Sequence, residues 1–515
     1  TIISSGSRQV VEKDGTVIGS NISAGGSLIV YTGGIAHGVN QETGSALVAN
    51  TGAGTDIEGY NKLSHFTITG GEANYVVLEN TGELTVVAKT SAKNTTIDTG
   101  GKLIVQKEAK TDSTRLNNGG VLEVQDGGEA KHVEQQSGGA LIASTTSGTL
   151  IEGTNSYGDA FYIRNSEAKN VVLENAGSLT VVTGSRAVDT IINANGKMDV
   201  YGKDVGTVLN SAGTQTIYAS ATSDKANIKG GKQTVYGLAT EANIESGEQI
   251  VDGGSTEKTH INGGTQTVQN YGKAINTDIV SGLQQIMANG TAEGSIINGG
   301  SQVVNEGGLA ENSVLNDGGT LDVREKGSAT GIQQSSQGAL VATTRATRVT
   351  GTRADGVAFS IEQGAANNIL LANGGVLTVE SDTSSDKTQV NMGGREIVKT
   401  KATATGTTLT GGEQIVEGVA NETTINDGGI QTVSANGEAI KTKINEGGTL
   451  TVNDNGKATD IVQNSGAALQ TSTANGIEIS GTHQYGTFSI SGNLATNMLL
   501  ENGGNLLVLA GTEAR

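Results

Sequence analysis

The sequence predicts an all-β protein: a right-handed parallel β-helix with about 18–19 residues per coil, carrying four longer hairpin or loop modules. Three observations predict it. The 515 residues include 78 glycines but no proline, cysteine or tryptophan, and aromatic residues make up only 3%. Short runs of alternating apolar residues are separated by glycine or Asn-Gly turns, and no 3.6-residue pattern is long enough for a helix. The pattern then repeats every 16 to 19 residues, which is the sequence form of a solenoid.

Each observation has a physical reason. Average usage would supply roughly 25 prolines in a chain of this length, so their absence points to a backbone whose N–H groups are nearly all needed in sheet ladders. The apolar positions are mostly Val, Ile, Leu and Ala, which suit a thin core better than a globular one. A propeller would need blades of about 40 residues. The expectation is one elongated β-helix over residues 1–515.

The repeat reads most clearly in "THINGGTQTVQNYGKAINTDI" from Thr259 and "TTINDGGIQTVSANGEAIKTKI" from Thr423. The second glycine of each turn recurs at Gly196, Gly213, Gly231, Gly247, Gly264, Gly282, Gly300 and Gly319. Two residues after six of these come Gln215, Gln233, Gln249, Gln266, Gln284 and Gln302. Strand alternation puts them on the inward face with the Ile or Val two positions on, so they are expected to form a structural ladder in which stacked amides offset the cost of burial. The Asn residues before the glycine turn, Asn262, Asn298, Asn316, Asn426 and Asn445, suit left-handed turn backbone.

Composition and motifs argue against several functions. With 33 basic against 52 acidic residues the formal charge is −19, which disfavours polyanionic partners, so no nucleic acid is expected. Parallel β-helices include polysaccharide lyases and hydrolases, which gather carboxylates on neighbouring coils and stack aromatic rings on sugars. Asp56 and Glu58 beside His65, or Asp322 with Arg324 and Glu325, are the nearest approach, and the ten tyrosines look scattered. No zinc, hydrolase-elbow, nucleotide or calcium-repeat motif occurs. No catalytic residue, cofactor or metal site is assigned. There is no secretion signal at "TIISSG", as expected of a mature segment or fragment.

What the coil offers a partner is a polar turn after each "QxV" strand. These turns carry Asp14, Asp126, Asp252, Asn270, Asn289, Glu306, Asn436, Asp454 and Asn455. In-register coils would align them at about 4.8 Å spacing, and many weak contacts acting together could hold a second copy.

All four phenylalanines, Phe66, Phe161, Phe359 and Phe488, fall at one place in the longer modules, which run over about 36–87, 130–182, 329–379 and 458–509. In each module a leucine follows 18 residues later. The expectation is a hairpin or loop pinned to the core by its phenylalanine.

The coil "TxINxGGxQxVxxxGxAxxT", together with "GALVATTRATRVTGTRADGVAFSIEQGAANNILLANGGVLTV", resembles the passengers of self-associating autotransporter adhesins of the AIDA-I and antigen 43 type. The resemblance implies a bacterial cell-surface passenger, anchored by a C-terminal outer-membrane β-barrel absent from this chain or released from it. It implies homotypic association leading to autoaggregation and biofilm, host-cell receptors or glycans as further partners, and a heptosyltransferase acting on Ser or Thr. A polysaccharide lyase or hydrolase, or a glycan-binding protein, is the alternative.

Overall fold

The computed structural model describes all 515 residues. It contains 71 strands and no helix, arranged as a β-solenoid of about 27 turns. The chain divides into two compact units, Thr1–Ile250 with Gly254–Thr256, and Val251–Gly253 with Glu257–Arg515.

In the first unit a representative coil consists of strands Lys197–Val200, Lys203–Val205 and Val208–Asn210. Each pairs in parallel with its counterpart one coil on, as Met198 with Gln215, Lys203 with Thr222 and Val208 with Asn227. The alternating sequence decides what is buried: Met198, Val200 and Leu209 point inward, fully enclosed, while Lys197 and Lys203 face solvent. The second unit repeats the arrangement, with Glu413–Val416, Val419–Asn421 and Thr424–Ile425 forming one coil and Gln414 in register with Gln431. Its corner between second and third strands takes a left-handed residue, supplied by Asn276 and Asn312, each with φ of 55°. Asn tolerates that conformation better than most side chains.

Each unit holds two excursions from the coil. In the first unit they are the three-stranded antiparallel ribbons Asp56–Tyr60, His65–Thr69, Glu72–Asn74 and Leu150–Thr154, Ala160–Arg164, Glu167–Lys169. In the second they are Arg348–Arg353, Ala358–Glu362, Ala365–Asn367 and Glu478–His483, Gly486–Ser491, Leu494–Thr496. The phenylalanines have one common partner. Phe66, Phe161, Phe359 and Phe488 lie directly opposite Gly59, Gly153, Gly351 and Gly481 across the first hairpin, and all four rings are buried.

Glycine is required there by close approach. A Cβ on Gly153 would stand 2.1 Å from the Val133 carbonyl oxygen, and one on Gly351 would stand 2.5 Å from Cζ of Phe359. Where the chain rejoins the coil, a buried glutamine closes the gap. Gln41, Gln135, Gln334 and Gln463 donate to the carbonyls of Val77, Val172, Leu370 and Leu499 at 3.0–3.1 Å.

Two substitutions test this joint. Phe161→Ala should lower unfolding stability by about 3–5 kcal/mol, and Gly153→Ala by about 1–3 kcal/mol through overpacking, both read by denaturant unfolding of the full chain. A Gly153→Ala protein as stable as the native one would refute the close-approach account.

Candidate functional site

The turn after the glutamine-bearing strand is the feature exposed on coil after coil. In the first unit the Asp14 amide donates to the Gly33 carbonyl at 3.0 Å, and the Glu108 amide to that of Gly127, beside Asp126, at 3.1 Å. In the second unit a longer run forms. Tyr271 donates to Asn289 at 2.9 Å, and Asn289 to Gly307, Gly307 to Lys326 and Lys326 to Arg345 at 3.0 Å each. Asn436 donates to Asn455 at 3.0 Å in the same way. The turns are therefore bonded into rows, which brings Asn270, Asn289 and Glu306 onto consecutive coils and Asn436 beside Asp454 and Asn455.

Several of these side chains are engaged within the chain. Asp252 is half-buried and accepts from Asn270 at 3.1 Å and Gln269 at 3.3 Å. Asp126 accepts from the Ser144 hydroxyl, Asp454 accepts from that of Ser472 at 3.4 Å, and Glu306 lies 3.5 Å from Lys326. Asp14, Asn289, Asn436 and Asn455 are exposed left-handed residues, with φ of 63–66°, and their side chains are not used in this way. The row also carries both signs of charge, through Glu306, Lys326 and Arg345.

The interior row is a hydrogen-bonded ladder. In the first unit Gln233 donates to Gln215 at 2.9 Å and Gln249 to Gln233 at 2.8 Å. In the second, Gln284 donates to Gln266 at 2.8 Å and Gln302 to Gln284 at 2.7 Å. All six glutamines are buried. Sequence reasoning missed a further ladder, in which Gln414 donates to Glu396 and Gln431 to Gln414, both at 2.8 Å. Glu396 is fully buried and also accepts from Thr407 at 2.8 Å and Ser385 at 3.1 Å. It stands two residues after Gly394, at the glutamine position of "REIV", and that spacing was the available signal.

Asp204 was missed as well. It occupies the inward position that Ala187 fills one coil earlier, is fully buried, and accepts from Gln215 at 2.7 Å, Ser223 at 3.0 Å and Thr207. Burial without a cation pushes its carboxyl up to about 6, against the opposing pull of those hydrogen bonds.

The acid–base combinations suggested by the sequence stay on open surface. His65 bonds Glu58 at 2.8 Å, holding that carboxyl below its usual range, and His37 lies 2.9 Å from Asp56. Asp322 meets Arg324 at 3.4 Å. The two histidine pairs span neighbouring strands, and Asp322 and Arg324 lie two residues apart at the end of one strand; each partner is about a quarter to a half exposed, as surface ion pairs are.

A β-solenoid with stacked interior amides and rows of exposed polar turns belongs to the class of repetitive scaffold proteins, in which each coil adds the same surface again. Residues 58–120, 152–213, 350–412, 414–467 and 480–515, more than half of the chain, match the family model described as AIDA, adhesin of bacterial autotransporter system, probable stalk. The chain belongs to that family of autotransporter adhesins. Among solved structures it is similar to one described as a TibC-catalyzed hyper-glycosylated TibA55-350 fragment, at 28% identity, over 60% of this chain and 98% of that one, with a TM-score of 0.33.

Asp204 makes stability depend on pH. Its folded value lies above that of an unfolded aspartate, so the stabilisation gained on protonation is complete below about pH 4 and is lost as pH rises through about 6. Asp204→Asn removes this term. Between pH 8 and pH 4.5 the stability difference between variant and native chain should shift by about 2 kcal/mol, measured by urea unfolding. A difference equal at both pH values would count against the buried ionised carboxylate.

Proposed function

We propose that this chain is a surface-displayed adhesin passenger that binds further copies of itself through the polar turn rows, without catalysis. The observation that carries the reading is the backbone-bonded run of turns from Tyr271 to Arg345. It holds exposed polar side chains at a fixed repeat without any catalytic grouping among them. A single hydrogen bond contributes only about 0.5–1.5 kcal/mol net, so one turn cannot hold two molecules; many turns engaging together can, by multivalency. Family membership supports the adhesin part of the reading, and the turn geometry supports the homotypic part. Clumping of cells and growth as a biofilm follow if the partner copy sits on a neighbouring cell.

The backbone conformation gives a clean test. Asn289, Asn436 and Asn455 sit at positive φ, where alanine would be strained but glycine keeps the turn. Cells displaying the triple variant Asn289→Gly, Asn436→Gly, Asn455→Gly should settle more slowly than cells displaying the native chain, with unchanged circular dichroism. Undiminished settling would remove these turns from the interface. Because each chain carries −19, settling of native cells should quicken as salt is raised toward physiological strength, where like charges are screened beyond about 8 Å. Slower settling with salt would mean that opposite charges hold the contact.

A further inference from the structure

Two-residue turns break the row at Tyr201–Gly202, Tyr236–Gly237 and Glu417–Gly418, and the first of them, in the first unit, opens a cleft. Four residues, 182–185, connect strand Ser178–Val181 to Arg186–Val188, and four, 218–221, connect Thr214–Ile217 to Thr222–Asp224. On the coil between them only Tyr201 and Gly202 join Lys197–Val200 to Lys203–Val205. The short turn tucks under its predecessor, since a Cβ on Gly202 would lie 2.3 Å from the Ser185 carbonyl oxygen and 2.6 Å from that of Val182. The result is a cleft of about 380 Å³ with the short turn at its floor and Thr183 and Ser220 on the longer turns to either side.

Its lining is unlike the rest of the surface. Tyr201 stacks on Tyr218 with ring centroids 4.2 Å apart and planes 5° from parallel, and Tyr218 leans toward Tyr236 at 6.3 Å. Tyr201, with Tyr218 on one ring face, is 42% exposed and lines the cleft. Arg186 and Lys203 stand in register on adjacent strands, a like-charge juxtaposition that costs stability. Arg186 is offset by Glu167 at 3.1 Å, but Lys203 forms no ion pair.

No carboxylate lines the cleft, in a chain with a formal charge of −19. The comparable cleft around Arg115 is lined by its own acids, Glu134 and Glu152. Asp204, next to Lys203 in sequence, turns inward onto Thr207, Gln215 and Ser223.

From this we propose that the Tyr201 cleft binds a carboxylated sugar residue of a glycan. The planar ring takes the apolar face of the pyranose, as aromatic side chains do where an apolar body and a polar rim must be met together. The Lys203 ammonium and the Arg186 guanidinium take the carboxylate through charge-assisted hydrogen bonds, and the Thr183 and Ser220 hydroxyls lie at the rim for sugar hydroxyls. This site is separate from the turn-row contact: it needs no second copy of the chain.

The test is calorimetric titration of the full chain with two acidic probes, 3′-sialyllactose and digalacturonate, and with lactose as the neutral control. At least one acidic probe should bind at least tenfold more tightly than lactose. Lys203→Gln should weaken that binding about tenfold or more and Tyr201→Ala should abolish it, while Tyr485→Ala, which removes an exposed tyrosine in the other unit, should leave it unchanged. Three results would overturn the proposal: neither acidic probe binding, lactose binding as well as they do, or acidic binding that survives both cleft substitutions. Cell settling by the Tyr201→Ala chain should match the native one, so failure of self-association and failure of this site give different readouts.

Discussion

The structure depends on the in-register parallel hydrogen bonding of each coil to the next. With strands about 4.8 Å apart and the register of Met198 on Gln215 and Gln215 on Gln233 kept coil after coil, every side chain stands over its counterpart. Whatever one position carries is therefore multiplied into a row. For apolar residues the row is a core and for amides it is a ladder. For charges of one sign it would be a column of repulsion.

The charged faces show how that last consequence is met. Arg115 faces Glu134, Lys110 faces Glu129, Arg395 faces Glu413 and His132 faces Asp112, each pair between adjacent coils. Such pairs contribute little individually, but at these positions their alternation keeps like charges from standing over one another. Amide rows have a different requirement, because they are directional. Gln302 donates back to Gln284, and on the surface Asn316 donates back to Asn298 and Asn464 to Asn445. A row that donates toward the preceding coil needs an acceptor for its first amide, which in several rows is a carboxylate. Glu396 serves Gln414, Asp204 serves Gln215, Asp278 serves Asn298 and Asp98 serves Asn117. At the other end a hydroxyl donates to the last carbonyl, Ser313 to Gln302 and Thr442 to Gln431. Part of the acidic excess is thus a structural requirement of ladders that begin.

The coil and the glutamine positions were legible in the sequence because spacing from the glycine turn is nearly constant, and the four phenylalanines marked the hairpins because they recur in matching context. What was not legible follows from the same logic. Glu396 and Asp204 are acidic, and an acidic residue read alone looks like surface; only its place in the inward alternation betrays it. Tyr201, Tyr218 and Tyr236 looked scattered among ten tyrosines, yet each directly follows the Val or Ile that ends a "QxV"-type strand, so register places them on one corner. The glycines opposite the phenylalanines belong to an antiparallel pairing that the coil repeat does not encode.

A molecule built by repetition presents two kinds of surface, and they suit different tasks. The unbroken rows offer the same weak contact many times, which favours a partner with the same repeat and gives avidity without a deep pocket. A pocket requires that neighbouring coils differ, because identical coils in register leave no concavity between them. In the first unit one such difference lies where the two-residue turn Tyr201–Gly202 sits between turns of four, and at that place the alternation of charge also lapses, with Arg186 beside Lys203. Two independent departures from the repeat at one place are what selective binding of a small acidic group demands, whereas the regular turns, each too weak alone, gain strength only by staying alike.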